Sequence, residues 1–154
     1  MLNYTRSRAL SNAVIDISID QPFQVRDNLG RLSWDAPNRL LSWGYLPTGR
    51  RNWALAYLLD MRSGFPFSVQ RQTGEIVGGV NSRRFPTNLD LNLHIERRFK
   101  LGRRRFAIRA GINNITNSLN ATGVNNVLDS PNFLAWYGKE GRHAVFRLRW
   151  LNHE

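Results

Sequence analysis

The chain has 154 residues, which is long enough to bury one sizeable core. It has no cysteine, which excludes a disulfide, a thiolate metal site and a catalytic cysteine. Its longest apolar run covers only residues 53–59, whereas a membrane-spanning helix needs about 20 consecutive apolar residues, which excludes a helical membrane protein. The net charge of +11 indicates an anionic partner, or arginines that solvate turns and line a polar cavity.

The first two predicted strands, over residues 2–10 and 37–46, have the weakest patterns. In the first, Leu2 and Tyr4 alternate with polar side chains before arginines interrupt the pattern. In the second, two rows of side chains alternate, and we place the row that contains Trp43 on the apolar face. Both predictions follow from the alternating direction of successive side chains along a β-strand.

The third predicted strand, over residues 52–62, has one large apolar face and one face that is small and then charged. The charged part of the second face consists of Asp60 and Arg62. The large apolar face is formed by Trp53, Leu55, Tyr57, Leu59 and Met61. A strand of this length with two such different faces is expected to separate an apolar medium from a polar one.

Three further strands are predicted over residues 88–99, 105–113 and 143–150, because apolar and polar side chains alternate in each. Their apolar faces include Phe106, Phe146 and Trp150. Their polar faces carry Asp90, Asn92, His94, Glu96, Arg109, Arg147 and Arg149. The predicted fold is therefore all-β, an antiparallel meander of about six long strands that occupies residues 1–154 as one domain.

Short and long connections alternate between these strands. The short ones contain the turn sequences "PTGR" and "KLGRR", and the long ones cover residues 11–36, 63–87 and 114–141. Long connections without regular structure are uncommon in compact soluble domains. Tight turns on one side and long loops on the other are typical of an outer-membrane β-barrel, whose strands have about 9–11 residues.

This pattern predicts that the apolar rows contact lipid and the polar rows line the barrel interior. Trp53, next to a short turn, is expected in the band of aromatic side chains at the headgroup boundary. The structural alternative is a soluble sandwich or lipocalin-like barrel, which requires an apolar interior. The polar rows contain Asp, Glu, His and Arg side chains, which argues against that alternative.

Five segments of the chain resemble the last part of TonB-dependent receptors. They are "WDAPNRL", "WALAYLLDMRSGFPFSV", "VNSRRFPTNLDLNLHIERRF", "RAGINNITN" and "GKEGRHAVFRLRW". The resemblance is greatest to the Oar-like type, which carries a carboxypeptidase-regulatory-like N-terminal domain. The final segment, with Phe146, Leu148 and Trp150 on one face near the end of the sequence, is similar to the C-terminal signal that the barrel-assembly machinery reads.

The resemblance implies a barrel of about 22 strands with an N-terminal plug domain in the lumen, in the outer membrane of a Gram-negative bacterium. This chain matches only about the last six strands, so it is expected to be a C-terminal portion without the plug. The implied partners are outer-membrane lipid, the rest of the barrel, the plug and the assembly machinery. Contact with TonB would occur only through the N-terminal region, and the chain alone is not expected to transport.

The remaining motifs favour no enzyme and no cofactor. The row from Asp90 to Glu96 could hold a metal ion, but a polar lumen wall is the better interpretation because the row has a single His. The basic clusters at 49–51 and 102–106 favour anionic headgroups over nucleic acid, because no aromatic side chains interleave with them as stacking platforms. The functional alternative is a soluble basic β-barrel that binds nucleic acid or another polyanion.

Overall fold

The computed structural model describes the backbone of residues 1–17 and 22–151, and side chains in these ranges outside residues 12–29. All regular elements of the described residues are β-strands. Accordingly, the described part of the chain contains no helix that could cross a membrane. The predicted all-β class is confirmed.

Fourteen strands are present in the described residues. Six of them form the main sheet: β1 (Leu2–Arg6), β4 (Asn38–Leu46), β5 (Trp53–Arg62), β10 (Asn88–Leu101), β11 (Arg104–Asn113) and β14 (His143–Leu151). The others pair within the long connections: β2 (Leu10–Ile17) with β3 (Pro22–Arg31), β6 (Pro66–Phe67) with β9 (Arg83–Arg84), β7 (Val69–Gln70) with β8 (Ile76–Val77), and β12 (Gly123–Val124) with β13 (Trp136–Tyr137).

The main sheet is an antiparallel meander in the order β1-β4-β5-β10-β11-β14. The turns 47–52 and 102–103 join neighbouring strands at one end of the strands, which we call the turn end. Connections 7–37, 63–87 and 114–142 join them at the opposite end, which we call the loop end. In the described residues β1 and β14 pair with only one neighbour each, so the sheet is open.

Two predictions about the elements need correction. The first strand ends at Arg6 and not at residue 10, because the chain then enters the β2–β3 hairpin. The long connections were predicted as loops, but each contains paired strands. Alternation could not predict most of these strands, because they have only two residues each. They also lie in segments rich in Gly, Asn, Ser and Pro, which are typical of loops.

Apart from Ala107 on β11, the buried apolar residues among those described lie in the connections and not in the main sheet. Phe67, Val69 and Val124 are the buried members of this hydrophobic core, and Phe67 meets Trp136 edge-to-face at a centroid distance of 6.0 Å. Partly buried apolar side chains surround them: Val77, Phe85, Phe133, Leu134 and Trp136. The second and third connections thus fold together at the loop end, whereas no large side chain among the described residues is fully buried.

Gly64, just after β5, passes directly against the backbone of the same connection. A Cβ at this position would lie 1.8 Å from the carbonyl oxygen of Phe85 and 2.8 Å from that of Pro86. Backbone atoms cannot move aside as the end of a flexible side chain can, so any side chain here would displace the connection from the sheet.

We expect Gly64→Ala to lower the free energy of unfolding by about 1–3 kcal/mol, the usual cost of overpacking. The measurement is the urea-unfolding midpoint of the refolded chain, followed by tryptophan fluorescence. Gly141→Ala is the matched control, because a Cβ there meets no atom within 4 Å. Equal midpoints for the two variants would contradict the close approach.

Candidate functional site: a two-faced sheet and the cleft at its loop end

The register of the main sheet sorts its side chains into two faces. Residues opposite each other on neighbouring strands share a face, as Asp60 and Asp90 do. All nine predicted interior residues share this face, which we call the polar face: Asp60, Arg62, Asp90, Asn92, His94, Glu96, Arg109, Arg147 and Arg149. Seven predicted lipid-facing residues share the other, which we call the apolar face: Trp53, Leu55, Tyr57, Leu59, Phe106, Phe146 and Trp150.

Trp43 is the exception, and its predicted face is wrong. It lies opposite Leu58, and its neighbour in the row, Leu41, lies opposite Asp60. Trp43 therefore belongs to the polar face, while Ser42 shares the apolar face and bonds to the Tyr57 hydroxyl at 3.0 Å. Both rows of β4 contain apolar residues, so alternation alone could not decide which row joins Trp53.

A continuous band of hydrocarbon forms the apolar face. Ile95 lies between Leu55 and Ala110 on its two neighbouring strands, and Ala110 lies opposite Phe146. Phe146 is 70% exposed and Trp150 is 61% exposed. Such a wide exposed apolar surface is unusual for a soluble monomer and marks a contact with another apolar medium or partner.

Ion pairs cross the polar face between strands. Glu96 accepts hydrogen bonds from Arg149 on β14 and from Arg98 on its own strand, the latter at 3.2 Å. Arg39 binds Asp60 through both carboxylate oxygens, at 3.1 and 2.8 Å. The Glu96–Arg149 pair thus spans β11, which lies between the two strands, whereas Asp90 accepts from the Asn92 amide at 2.9 Å.

A chain of hydrogen bonds links the two histidines of the polar face through Asn113. His94 Nε2–H donates to Asn113 Oδ1 at 2.9 Å, and the Asn113 amide donates to His143 Nε2 at 3.1 Å. Across the strand pair, a Cβ at Gly111 would lie 2.4 Å from His94 Nδ1. Glycine is therefore required there, because the imidazole ring occupies the space of a side chain.

A polar cleft of about 500 Å³ lies where the polar face meets the connections. Arg62 contributes a guanidinium that stacks over the Phe65 ring, with its Cζ 4.1 Å from the ring centroid. The cleft is lined by residues of both charges, by amides and by two aromatic rings: Trp34, Ala36, Arg39, Asp60, Arg62, Phe65, Asn88, Asp90, Asn120, Ala121, Thr122 and Glu140. This mixture suits a polar ligand that carries both hydrogen-bond donors and acceptors.

Asp35, between Trp34 and Ala36 of the cleft wall, anchors that wall to the second connection. Its carboxylate is 2% exposed, accepts from the Ala9 N–H at 2.7 Å and pairs with Arg84. Burial acts to raise the pKa of Asp35, but the hydrogen bonds from Ala9 and Arg84 outweigh it and hold the pKa below its ordinary value. Arg84 also donates to the Gly64 carbonyl at 3.0 Å.

Sequence reasoning did not find Asp35, Arg84 or Arg39, because each acts through a partner that is distant along the chain. Asp35 and Arg84 are 49 residues apart, and Arg39 reaches Asp60 only through the β4–β5 register. Arg39 offered a weak signal, since a charged residue precedes the apolar rows of that strand.

Known proteins provide no comparison for this site. No protein-family model, curated protein or solved structure matches the chain. Among the described residues, no group of three or more His, Asp or Glu side chains is placed to hold a metal ion. A function must therefore be inferred from two features of the chain: the separation of the polar and apolar faces, and the polar cleft.

We expect Asp35→Asn to destabilise the folded chain at neutral pH by about 1.5–3 kcal/mol, because Arg84 loses its charged acceptor. Since folding lowers the Asp35 pKa from 3.8, the pair stabilises fully above this value and the effect is lost as the pH falls below it. The difference between wild type and variant should therefore shrink in acid. Urea midpoints at about pH 7 and about pH 3 measure it.

The matched control for this prediction is Asp129→Asn. Asp129 contacts Arg71 at 3.8 Å, and its side chain is 44% exposed. An exposed pair contributes little to stability, so this variant should resemble wild type at both pH values. If the two variants behaved alike, the Asp35–Arg84 pair would not anchor the cleft wall.

Proposed function

We propose that the chain forms the C-terminal part of the β-barrel of a TonB-dependent receptor in the outer membrane of a Gram-negative bacterium. The strands of the main sheet cross the bilayer, the apolar face contacts acyl chains, and the polar face lines the lumen against a plug domain. The role is in transport, as part of a larger barrel, and we assign no enzymatic activity or cofactor to it.

The observation that carries this proposal is the exposed apolar face opposite a charged one. In a soluble sandwich the row from Trp53 to Met61 would pack on a second sheet. Instead the hydrophobic core of the described residues belongs to the connections, and side chains such as Phe146 and Leu148 stay exposed. The acyl chains of a bilayer can cover such a face without a protein partner, whereas exposure of the same face to water is unfavourable.

Strand length supports the same proposal. β4 and β14 have nine residues, and β5 and β11 have ten, which matches the about 9–11 residues of a tilted membrane strand. Soluble strands are more often about 5–6 residues long. β10 is longer still, at 14 residues, and β1 is shorter, at five, pairing only with residues 38–42 of β4.

The open edges support the role as one part of a larger barrel. Backbone N–H and C=O groups on the outer sides of β1 and β14 have no strand partner among the described residues. Each unsatisfied group costs several kcal/mol in hydrocarbon, so further strands must complete the sheet in a membrane. The rest of the barrel supplies them in the receptor, and in vesicles that contain this chain alone the edge strands of other copies can pair with β1 and β14. The polar cleft then lies at the loop end, near the lumen mouth, where it is positioned to contact a solute that enters.

The alternative, a soluble β-barrel that binds a polyanion, accounts for the basic charge but not for the exposure of the apolar face. Near the turn-end arginines, the stacked Phe99–Phe106 pair lies on the apolar face, and only Tyr45, beside Arg50 and Arg51, lies on the polar face among the described rings there. A soluble barrel would turn that face inward and bury it, whereas here the side chains of Phe146 and Trp150 are exposed.

Two substitutions on β14 separate a lipid contact from a water contact. Leu148 lies on the apolar face and Val145 on the polar face. If the apolar face contacts lipid, Leu148→Arg should lower the stability of the membrane-inserted chain by about 2–4 kcal/mol. Val145→Arg, the control, should cost much less because it points toward the lumen.

The measurement is the urea-unfolding midpoint of each variant inserted in phosphatidylcholine vesicles. The side chain of Leu148 is 59% exposed, so in a soluble protein its replacement by Arg should change stability by no more than about 0.5 kcal/mol. A Leu148→Arg variant as stable as wild type would overturn the membrane proposal.

Fractionation of cells that express the chain provides a second test. In a Gram-negative host, we expect the protein in the outer-membrane fraction or in inclusion bodies, and its extraction should require detergent. The physical reason is the apolar face, which no aqueous phase solvates favourably. A chain that remained soluble in the cytosol without detergent would favour the polyanion-binding alternative.

A further inference from the structure

The positive charge of the chain is concentrated at the turn end. Residues 45–54, 96–106 and 147–151 contain ten Arg and Lys residues and one acid, Glu96. The remainder of the chain has twelve basic and ten acidic residues, so it is almost neutral. Because like charges repel, a cluster of this kind is expected to have an anionic partner.

Two of these arginines lie on the apolar face beside tryptophan rings. Arg97 lies opposite Trp53, with its guanidinium carbon 5.2 Å from the ring centroid. Arg104 lies over Trp150 at 4.7 Å. Each pair is a cation–π contact, which holds a guanidinium at the boundary between the apolar band and the turns.

Phenylalanine rings continue the row of aromatic side chains between these two pairs. Phe99 and Phe106 stack with centroids 5.7 Å apart, and Phe106 lies opposite Trp150. The guanidiniums therefore lie above a ring-lined rim of the apolar face, and the turn residues Arg50, Arg51 and Arg103 lie just beyond. Aromatic rings at such a rim are typical of the headgroup level of a bilayer.

We propose that the Arg97–Trp53 and Arg104–Trp150 pairs form a binding site for the phosphate of anionic phospholipid headgroups. The guanidinium offers paired N–H donors that match phosphate oxygens, while the ring beside it contacts the glycerol and upper acyl region. This inference rests on the proposed membrane function. A lipid accounts for both the charge and the adjoining hydrocarbon, whereas a nucleic acid would leave the aromatic rim and Phe146 in water.

The experiment uses the full chain inserted in phosphatidylcholine vesicles that contain a minor share of brominated phosphatidylglycerol or of brominated phosphatidylcholine. Bromine quenches tryptophan fluorescence at contact, so the ratio of quenching gives the relative association of the two lipids. We expect phosphatidylglycerol to be preferred, and the preference to fall roughly fivefold for each arginine removed. Raising the salt concentration should weaken the preference of wild type as well.

The test variant is Arg97→Gln with Arg104→Gln, and the matched control is Arg6→Gln with Arg142→Gln, two exposed arginines at the loop end. The control should keep the preference. Arg97→Lys with Arg104→Lys keeps the charge and should retain part of it. Equal quenching of wild type by both lipids, unchanged by salt, overturns the headgroup site even if the Gln variant fails to fold.

The two levels of the proposal fail in different ways. Protection from added protease reports insertion into vesicles of phosphatidylcholine alone. A chain that is never protected contradicts the membrane function and the headgroup site together, whereas a protected chain without lipid preference contradicts the headgroup site alone. Binding of a labelled oligonucleotide that the Arg97/Arg104 double Gln variant loses, without any lipid preference, would assign these arginines to nucleic acid instead.

Discussion

The structure depends on one constraint, the cross-strand register that keeps every second side chain of five adjacent strands on a common face. A shift of one residue between β10 and β11 would place Glu96 and Arg109 among Leu and Phe side chains. The observed register instead keeps ionic partners such as Glu96 and Arg149 together. Because it places most of the charged side chains on one face and a band of hydrocarbon on the other, the sheet is suited to a boundary between two media more than to the interior of a soluble domain.

Different interactions stabilise the two ends of the molecule. At the loop end, packing around Phe67 and buried polar contacts such as Asp35–Arg84 hold the connections together. Asn114, which is 2% exposed, donates to the carbonyl groups of Ser118 and Glu140 and so closes the base of the third connection. These contacts give the cleft a defined wall, which a set of unstructured loops could not provide.

The turn end has no comparable packing and is instead dominated by charge. Some of its arginines pair with Glu96 on the polar face, as Arg149 does, and two others lie over tryptophan rings. The molecule is therefore electrically asymmetric along the strand direction. In a membrane the two ends would meet the bilayer surfaces with different chemistry. The loop end would present a nearly neutral folded surface with a cleft, and the turn end a cationic rim of aromatic side chains.

The sequence by itself determined the five long strands of the main sheet and, within each, which side chains share a face, because side-chain direction alternates along any strand. It located the short first strand but placed its end too late. It predicted the shared faces of Asp60 and Asp90, and of Trp53 and Phe146, where the two rows differ strongly in polarity. Only the tertiary structure decided the face of Trp43, since both rows of β4 contain apolar residues and register depends on hydrogen bonds to β5. It also decided the pairing of Asp35 with Arg84, because contacts between residues distant along the chain leave no local pattern.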